Sequence, residues 1–165
     1  MSDIVPGAIE RLDPALQGRL ILTQQVRDED MARVRAVYDR LSITAELAPF
    51  FTDLPARLAA NHLIVSRSGA GTVAELAAIG RPSILVPLPG AIDQDQFANA
   101  GVLSQIDAAL RVAQADFTFE WLASEIGALA AAPERLAAMA ANARRAGRLD
   151  AAERLADLVV KVSGI

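Results

Sequence analysis

The chain contains no cysteine, which excludes disulfides, thiolate zinc sites and thiol catalysis. It carries one histidine, His62, and a single imidazole cannot build a His-rich metal site. The place of His62 at the start of an apolar run reads as structural rather than catalytic. There is no long run of Lys or Arg, and the formal charge is −4 with a sequence pI near 5.0. That balance argues against sequence-independent binding to nucleic acid or to an anionic membrane as the main activity. Apolar runs such as Leu63 to Val65, Ile84 to Val86 and Leu158 to Val160 fall well short of the roughly 20 residues of a membrane span. Ser2-Asp3 and Glu10-Arg11 interrupt the amino-terminal segment, so no signal peptide is expected. A soluble, cytoplasmic chain with no metal and no cofactor is the expectation.

What is present fits one domain of 165 residues with enough apolar side chains for a sizeable core. The segment 4–16 has a helical stripe at Ile4, Val5, Ala8, Ile9 and Leu12, with Ser2 or Asp3 as its cap. The first strand-like run, Arg19 to Gln25, comes only after it. A helix from Asp28 to about Leu41 follows, then a weaker strand at Thr44 to Ala48 and a short helix from Leu54 to Ala60. Next come a strand at His62 to Ser66, a small-residue turn, a helix from Thr72 to Ile79, and a second buried strand at Ser83 to Pro87. Ala108 to Val112 reads as one more strand, and the remainder as helices over Glu120 to Ala131, Pro133 to Ala146 and Ala151 to Val162. This alternation predicts an α/β fold, a parallel sheet flanked by helices on both faces.

The chemistry concentrates in residues 61–100. Ligands of open α/β sheets bind beyond the carboxyl ends of the strands, where following helices present free N–H groups. At such an end, Gly69 and Gly71 permit close approach to the backbone, Ser68 and Thr72 offer hydroxyls, and a helix amino terminus favours an anion such as a diphosphate. Thr72 and Glu75 also fit a capping box, T-x-x-E, a reading that stays open beside ligand binding. The stretch is neither the Walker lysine loop nor the dinucleotide fingerprint. Beyond the second strand, Asp93, Asp95, Gln96 and Asn99 fall within seven residues. Gln96 and Asn99, three apart, share a face at the start of a helix, and such amides suit sugar hydroxyls. A phosphate-binding turn followed by a hydroxyl-reading loop suggests a nucleotide sugar.

The run RSGAGTVAELAAIGRPSILVPLPGAIDQDQFANA closely resembles the donor-binding half of the peptidoglycan N-acetylglucosaminyltransferases, which convert lipid I to lipid II. The similarity extends from SDIVPGAIERL through LTQQVR and ELAPFFTDLPARL to DAAERLADLV. It implies the Rossmann-like carboxyl-terminal half of a GT-B glycosyltransferase, a single domain over residues 1–165 that binds UDP-N-acetylglucosamine. Carried over by motif, the turn Ala70, Gly71, Thr72, Val73, Ala74 and Glu75 lies along the uridine diphosphate, with Ser68 and Gly69 before it and Glu75 accepting from the ribose hydroxyls. Gln96, within D-x-x-Q-x-x-N-A together with Asn99, contacts the sugar. Asp95 stands where some relatives have a second glutamine, and no sugar contact is assigned to it. Phe51 matches a position whose backbone holds the uracil, with Leu54 beside the base. Phe50 and Phe51 read equally well as core aromatics at a strand end.

The resemblance also implies what this chain does not carry. The family domain opens on a strand and a G-G-S-x-G-A loop that have no counterpart here, so a fold lacking its first strand is expected. That strand would sit between the Leu20 and Leu63 strands, and its loss leaves two unpaired sheet edges, a route to a dimer. The amino-terminal acceptor domain, with its membrane contact and proposed catalytic histidine, lies outside the chain. No catalytic residue is therefore expected here, and His62 does not match that histidine. The whole enzyme is expected on the cytoplasmic face of the inner membrane, in cell-wall synthesis and cell division. The alternatives are a stand-alone nucleotide-sugar module serving a partner chain and a purely structural α/β interaction domain.

Overall fold

The computed structural model describes residues 1–90 and 95–163. Asp93, one of the polar residues singled out above, lies outside that range. The chain forms two compact units, one of Met1–His62 with Val112–Ala137, the other of Leu63–Arg111 with Ala138–Ile165.

In the first unit the expected helix over 4–16 is two helices, α1 (Ile4–Glu10) and α2 (Pro14–Gln17). Pro14 causes the break. The residue before a proline is pushed out of helical geometry, and Asp13 sits at φ −54°, ψ 134° while its side chain accepts from Ala15 N–H at 2.8 Å. Asp3 precedes α1 but makes no side-chain cap. Strand β1 (Ile21–Gln25) pairs in parallel with β2 (Thr44–Ala48), Ile21 opposite Thr44 and Gln25 opposite Ala48. Between them α3 (Asp28–Arg40) has three acidic residues in its first turn and Arg40 in its last, matching the helix dipole. It buries Val34 and Tyr38, four apart on one face. Helix α4 (Leu54–Ala60) follows, and α7 (Phe119–Ala131) packs on α1. That packing requires glycine at position 7, because a Cβ there would come within 2.6 Å of the Phe119 ring.

The second unit contains β3 (Ile64–Ser66), α5 (Ala70–Ile79), β4 (Ser83–Leu85), α6 (Asp95–Ser104) and β5 (Ala109–Arg111). The strands form a parallel sheet in the order β3-β4-β5, with rows Ile64-Ser83-Ala109, Val65-Ile84-Leu110 and Ser66-Leu85-Arg111. Every residue of the central strand β4 is buried, as expected for a parallel sheet. Strand β4 stops short of the expected Pro87, which has no N–H to give to the ladder. Helix α5 stops at Gly80, which adopts φ +74° while Gly80 N–H donates to Leu76 and Ala77 carbonyls and Arg81 N–H to Leu76 O at 3.0 Å. A side chain at Gly80 would be strained and would meet Arg144 at 2.9 Å.

Helix α8 (Pro133–Ala146) begins in the first unit and continues in the second, and α9 (Ala151–Ser163) has no buried residue. Among the described residues all pairing is parallel, as predicted, but it divides into two sheets, β1-β2 and β3-β4-β5, where one was expected. Among the described residues no ladder joins β1 to β3, the two strands between which the resemblance predicts a missing partner. No described helix is long and apolar enough to cross a membrane.

Candidate functional site

The turn after β3 is built on two side chains that point into the protein. Arg67 donates from one guanidinium nitrogen to the carbonyls of Val86 and Pro87, both at 3.2 Å, joining the carboxyl ends of β3 and β4. Burial pushes its pKa down from the usual arginine value, and it nevertheless stays a cation. Ser68 is completely buried, and its hydroxyl donates to the carbonyl oxygen of Gln96 at 2.8 Å. Ser68 therefore lies beneath the turn and ties it to α6 instead of offering its proton at the surface.

Helix α5 starts at Ala70, with Gly69 in the cap position and no side chain capping it. This overturns the capping-box reading. Thr72 is the third helical residue, not the cap, and Glu75 stands a turn further on. The first backbone bond of the helix runs from Val73 N–H to Gly69 O at 3.0 Å. Ahead of it, the N–H groups of Ala70, Gly71 and Thr72 take no partner among the described residues. Gly69 has φ −60°, and neither it nor Gly71 has a positive φ, so backbone conformation does not demand glycine at either position. A Cβ at Gly69 or Gly71 would meet nothing within 4 Å, so the space in front of this backbone is open. Ala70, Gly71, Ala74 and Glu75 are exposed, Thr72 is half-buried and Val73 faces the core. Open backbone, free donors and the positive end of a helix dipole together have the chemistry that suits an anion.

Helix α6 brings the second set of residues. Asp95 accepts Gln96 N–H through Oδ1 at 2.7 Å, and Gln96 Oε1 accepts Leu88 N–H at 3.0 Å. Only the amide oxygen can take an N–H, which fixes the Gln96 amide, and its NH2 has no partner among the described residues. Gln96 and Asn99 are both half-buried. At the far end of the sheet, Arg111 donates to Phe97 O at 3.1 Å, with its guanidinium carbon 3.7 Å from the Phe97 ring centroid. Among the described residues no three His, Asp or Glu side chains gather as metal ligands.

Phe51 belongs to the first unit. Its ring is 8% exposed and lies under the Arg57 guanidinium at 4.1 Å, whereas Phe50 is 70% exposed. Arg57 is held at 2.6 Å by both Glu46 and Asp53, which raises its pKa and holds the Asp53 carboxyl below its usual range. The Phe51 side chain is thus a packed core aromatic, and a ligand could reach this position through backbone only. Leu54 is 40% exposed.

Residues 3–155 match the glycosyltransferase family 28 C-terminal domain. The chain belongs to that family. It is 81% identical over 165 residues to the UDP-N-acetylglucosamine-N-acetylmuramyl-(pentapeptide) pyrophosphoryl-undecaprenol N-acetylglucosamine transferase of Bradyrhizobium diazoefficiens, covering 100% of this chain and 45% of that protein. The protein of the same name from Rhodopseudomonas palustris is 78% identical, again over 100% of this chain and 45% of the relative. Among solved structures, Acinetobacter baumannii MurG superposes with a TM-score of 0.79 at 32% identity, over 97% of this chain and 49% of that one. The glycosyltransferase VinC, in complex with dTDP, gives 0.70 at 23% identity, over 96% of this chain and 36% of that one, a likeness of fold. The chain therefore spans a little under half the length of the curated relatives it matches, and its fold is the carboxyl-terminal half of a GT-B glycosyltransferase.

Within this family 28 domain, the structure brings the turn 68–75 against the start of α6, the two halves that the sequence set side by side. Three residues that sequence reasoning passed over help to hold them there: Arg67, Leu88 and Arg111. The one signal for the arginines was a charge inside an apolar, strand-forming run, IVSR and AALRV.

Proposed function

We propose that this domain binds the donor, UDP-N-acetylglucosamine, for a hexosyltransferase that adds N-acetylglucosamine to a lipid-linked muramyl pentapeptide in peptidoglycan synthesis. The observation that carries the reading is the hydrogen bond from buried Ser68 to Gln96 O, which sets an anion-ready helix terminus beside a glutamine whose amide oxygen is engaged by Leu88 N–H. In this reading the diphosphate lies against Gly69, Ala70, Gly71 and Thr72, with their N–H groups and the α5 dipole opposing its charge. Val73 packs the helix against the core, and Ala74 leaves the surface low beside Glu75. Glu75 accepts from the ribose hydroxyls, Gln96 donates to the sugar, and Asn99 flanks it one turn along.

The chemistry follows from that placement. The acceptor hydroxyl attacks the anomeric carbon from the face opposite the diphosphate, the glycosidic C–O bond to phosphate breaks, and configuration inverts. Negative charge growing on the departing UDP is met by donors already fixed in place. The acceptor site, the membrane contact and the group that takes the hydroxyl proton belong, in this proposal, to the remaining length of the longer relatives. The whole enzyme then works as a peripheral protein on the cytoplasmic face of the membrane.

Calorimetric titration of the chain with UDP and with UDP-N-acetylglucosamine tests the reading. Glu75→Ala is expected to weaken both by about tenfold, the scale of a lost charged hydrogen bond. Equal affinity in wild type and variant would remove Glu75 from the site.

A further inference from the structure

The geometry points to Arg111 as a positioning residue that aims Gln96, an inference that rests on the donor-site reading. Three donors from the carboxyl ends of all three strands in this sheet converge on two consecutive residues of α6. Ser68, after β3, donates to Gln96 O at 2.8 Å, and Leu88, after β4, donates to Gln96 Oε1 at 3.0 Å. Arg111, the last residue of β5, donates to Phe97 O at 3.1 Å. The row Ser66-Leu85-Arg111 fixes where Arg111 stands relative to the other two anchors.

Arg111 grips α6 over a full turn. Its guanidinium carbon lies 3.7 Å from the Phe97 ring centroid, and a Cβ built on Gly101 would touch its Nη1 at 3.4 Å. The contact combines a cation–π stack with a hydrogen bond to a helix carbonyl. The Phe97 ring is 47% exposed, so core burial holds it only in part and the arginine supplies a direct hold from the sheet. A side chain that reads a hydroxyl must be held to a fraction of an ångström, which calls for a supporting contact of this kind. Among the described residues Arg111 makes no hydrogen bond or ion pair to the turn 68–75, so its effect is expected on the α6 side of the site.

The selectivity of the loss tests the inference. UDP and UDP-N-acetylglucosamine are titrated into the 165-residue chain and into Arg111→Met and Arg111→Lys. Arg111→Met is expected to weaken UDP-N-acetylglucosamine about fivefold while changing UDP by under about twofold, with Arg111→Lys recovering part of the loss. A purely structural role would move both ligands together. Phe97→Leu, a change at a half-exposed ring, provides a second route should Arg111→Met not fold, with the same selective loss expected. If wild type binds both ligands and the variants keep their ratio, the inference falls and the donor site stands. If wild type binds neither, the donor-site reading falls and takes the inference with it.

Discussion

At the scale of single residues, hydrogen-bond direction decides more than residue type. Gln96 has one oxygen and one NH2, and Leu88 N–H occupies the oxygen at 3.0 Å. In the proposed site its NH2 is the group that meets the sugar, as a donor. Gln96→Glu is then sharper than an alanine change: a carboxylate still accepts from Leu88 but has no proton to give at neutral pH. It is expected to weaken UDP-N-acetylglucosamine about tenfold by calorimetry and UDP by less, through the added negative charge alone. A variant that binds the sugar nucleotide normally would show that Gln96 accepts or does not touch it. Tyr38 makes a second prediction, away from the site. It is the only tyrosine, it is buried, and its hydroxyl donates to Gln24. Burial disfavours the phenolate and raises its pKa well above the ordinary 10.0. A group whose folded pKa is raised contributes stability that is complete below its unfolded pKa and is lost as pH climbs beyond it. Tyrosinate absorbance should therefore appear together with loss of helical circular dichroism above about pH 10, and Tyr38→Phe should flatten that alkaline decline in stability. Ionisation near the ordinary value in a fully helical protein would refute this.

At the scale of elements, two helix starts make a paired test. Helix α7 has a capping side chain, Thr118, which accepts Trp121 N–H at 3.1 Å, whereas α5 begins on Gly69 and leaves Thr72 inside its first turn. In urea denaturation Thr118→Ala is expected to cost about 1 kcal/mol, and Thr72→Ala under about 0.5 kcal/mol. A full capping loss at Thr72 would restore the box reading. Most elements were legible because their signals are local. The acidic first turn of α3, the proline that opens α8 and the glycine that ends α5 act within a few residues of themselves. The limits of α4, β2 and α8 coincide with those read from the sequence. The misreadings are local as well: an unbroken stripe over 4–16 hid the stop at Pro14, and T-x-x-E looked like a cap because the glycine before it carries no side chain to announce one. The anchors of the site were not legible for a different reason. Arg67, Leu88 and Arg111 each hold a segment 8 to 20 residues away in sequence, through backbone atoms or a side-chain amide. One sequence holds no pattern for contacts of that kind.

At the scale of the whole molecule, unfinished edges set the behaviour. Among the described residues strand β1 bonds only to β2 and β3 only to β4, and Ile21 on β1 is 77% exposed. Helix α9 adds Leu155, Leu158, Val159 and Val162, apolar at helical spacing and each more than half exposed. Open strand edges and an uncovered apolar stripe recruit other chains. Sedimentation of the purified chain is expected to show association that grows with concentration, and a strict monomer throughout would remove this expectation. The partial span of the relatives bears on activity. Transfer needs an acceptor hydroxyl held in line with the departing diphosphate, and that alignment supplies much of the rate. The residues assigned to donor binding lie in a chain that spans 45% of its Bradyrhizobium relative, so the acceptor side is assigned to the remaining length. With UDP-N-acetylglucosamine and a soluble lipid I analogue, the chain alone is expected to bind nucleotide without turnover. Adding the other portion of the relative as a separate polypeptide should restore transfer and, by covering the exposed surfaces, reduce self-association. Turnover by the chain alone would place an acceptor site and a proton acceptor within these 165 residues and overturn the division of labour proposed for them.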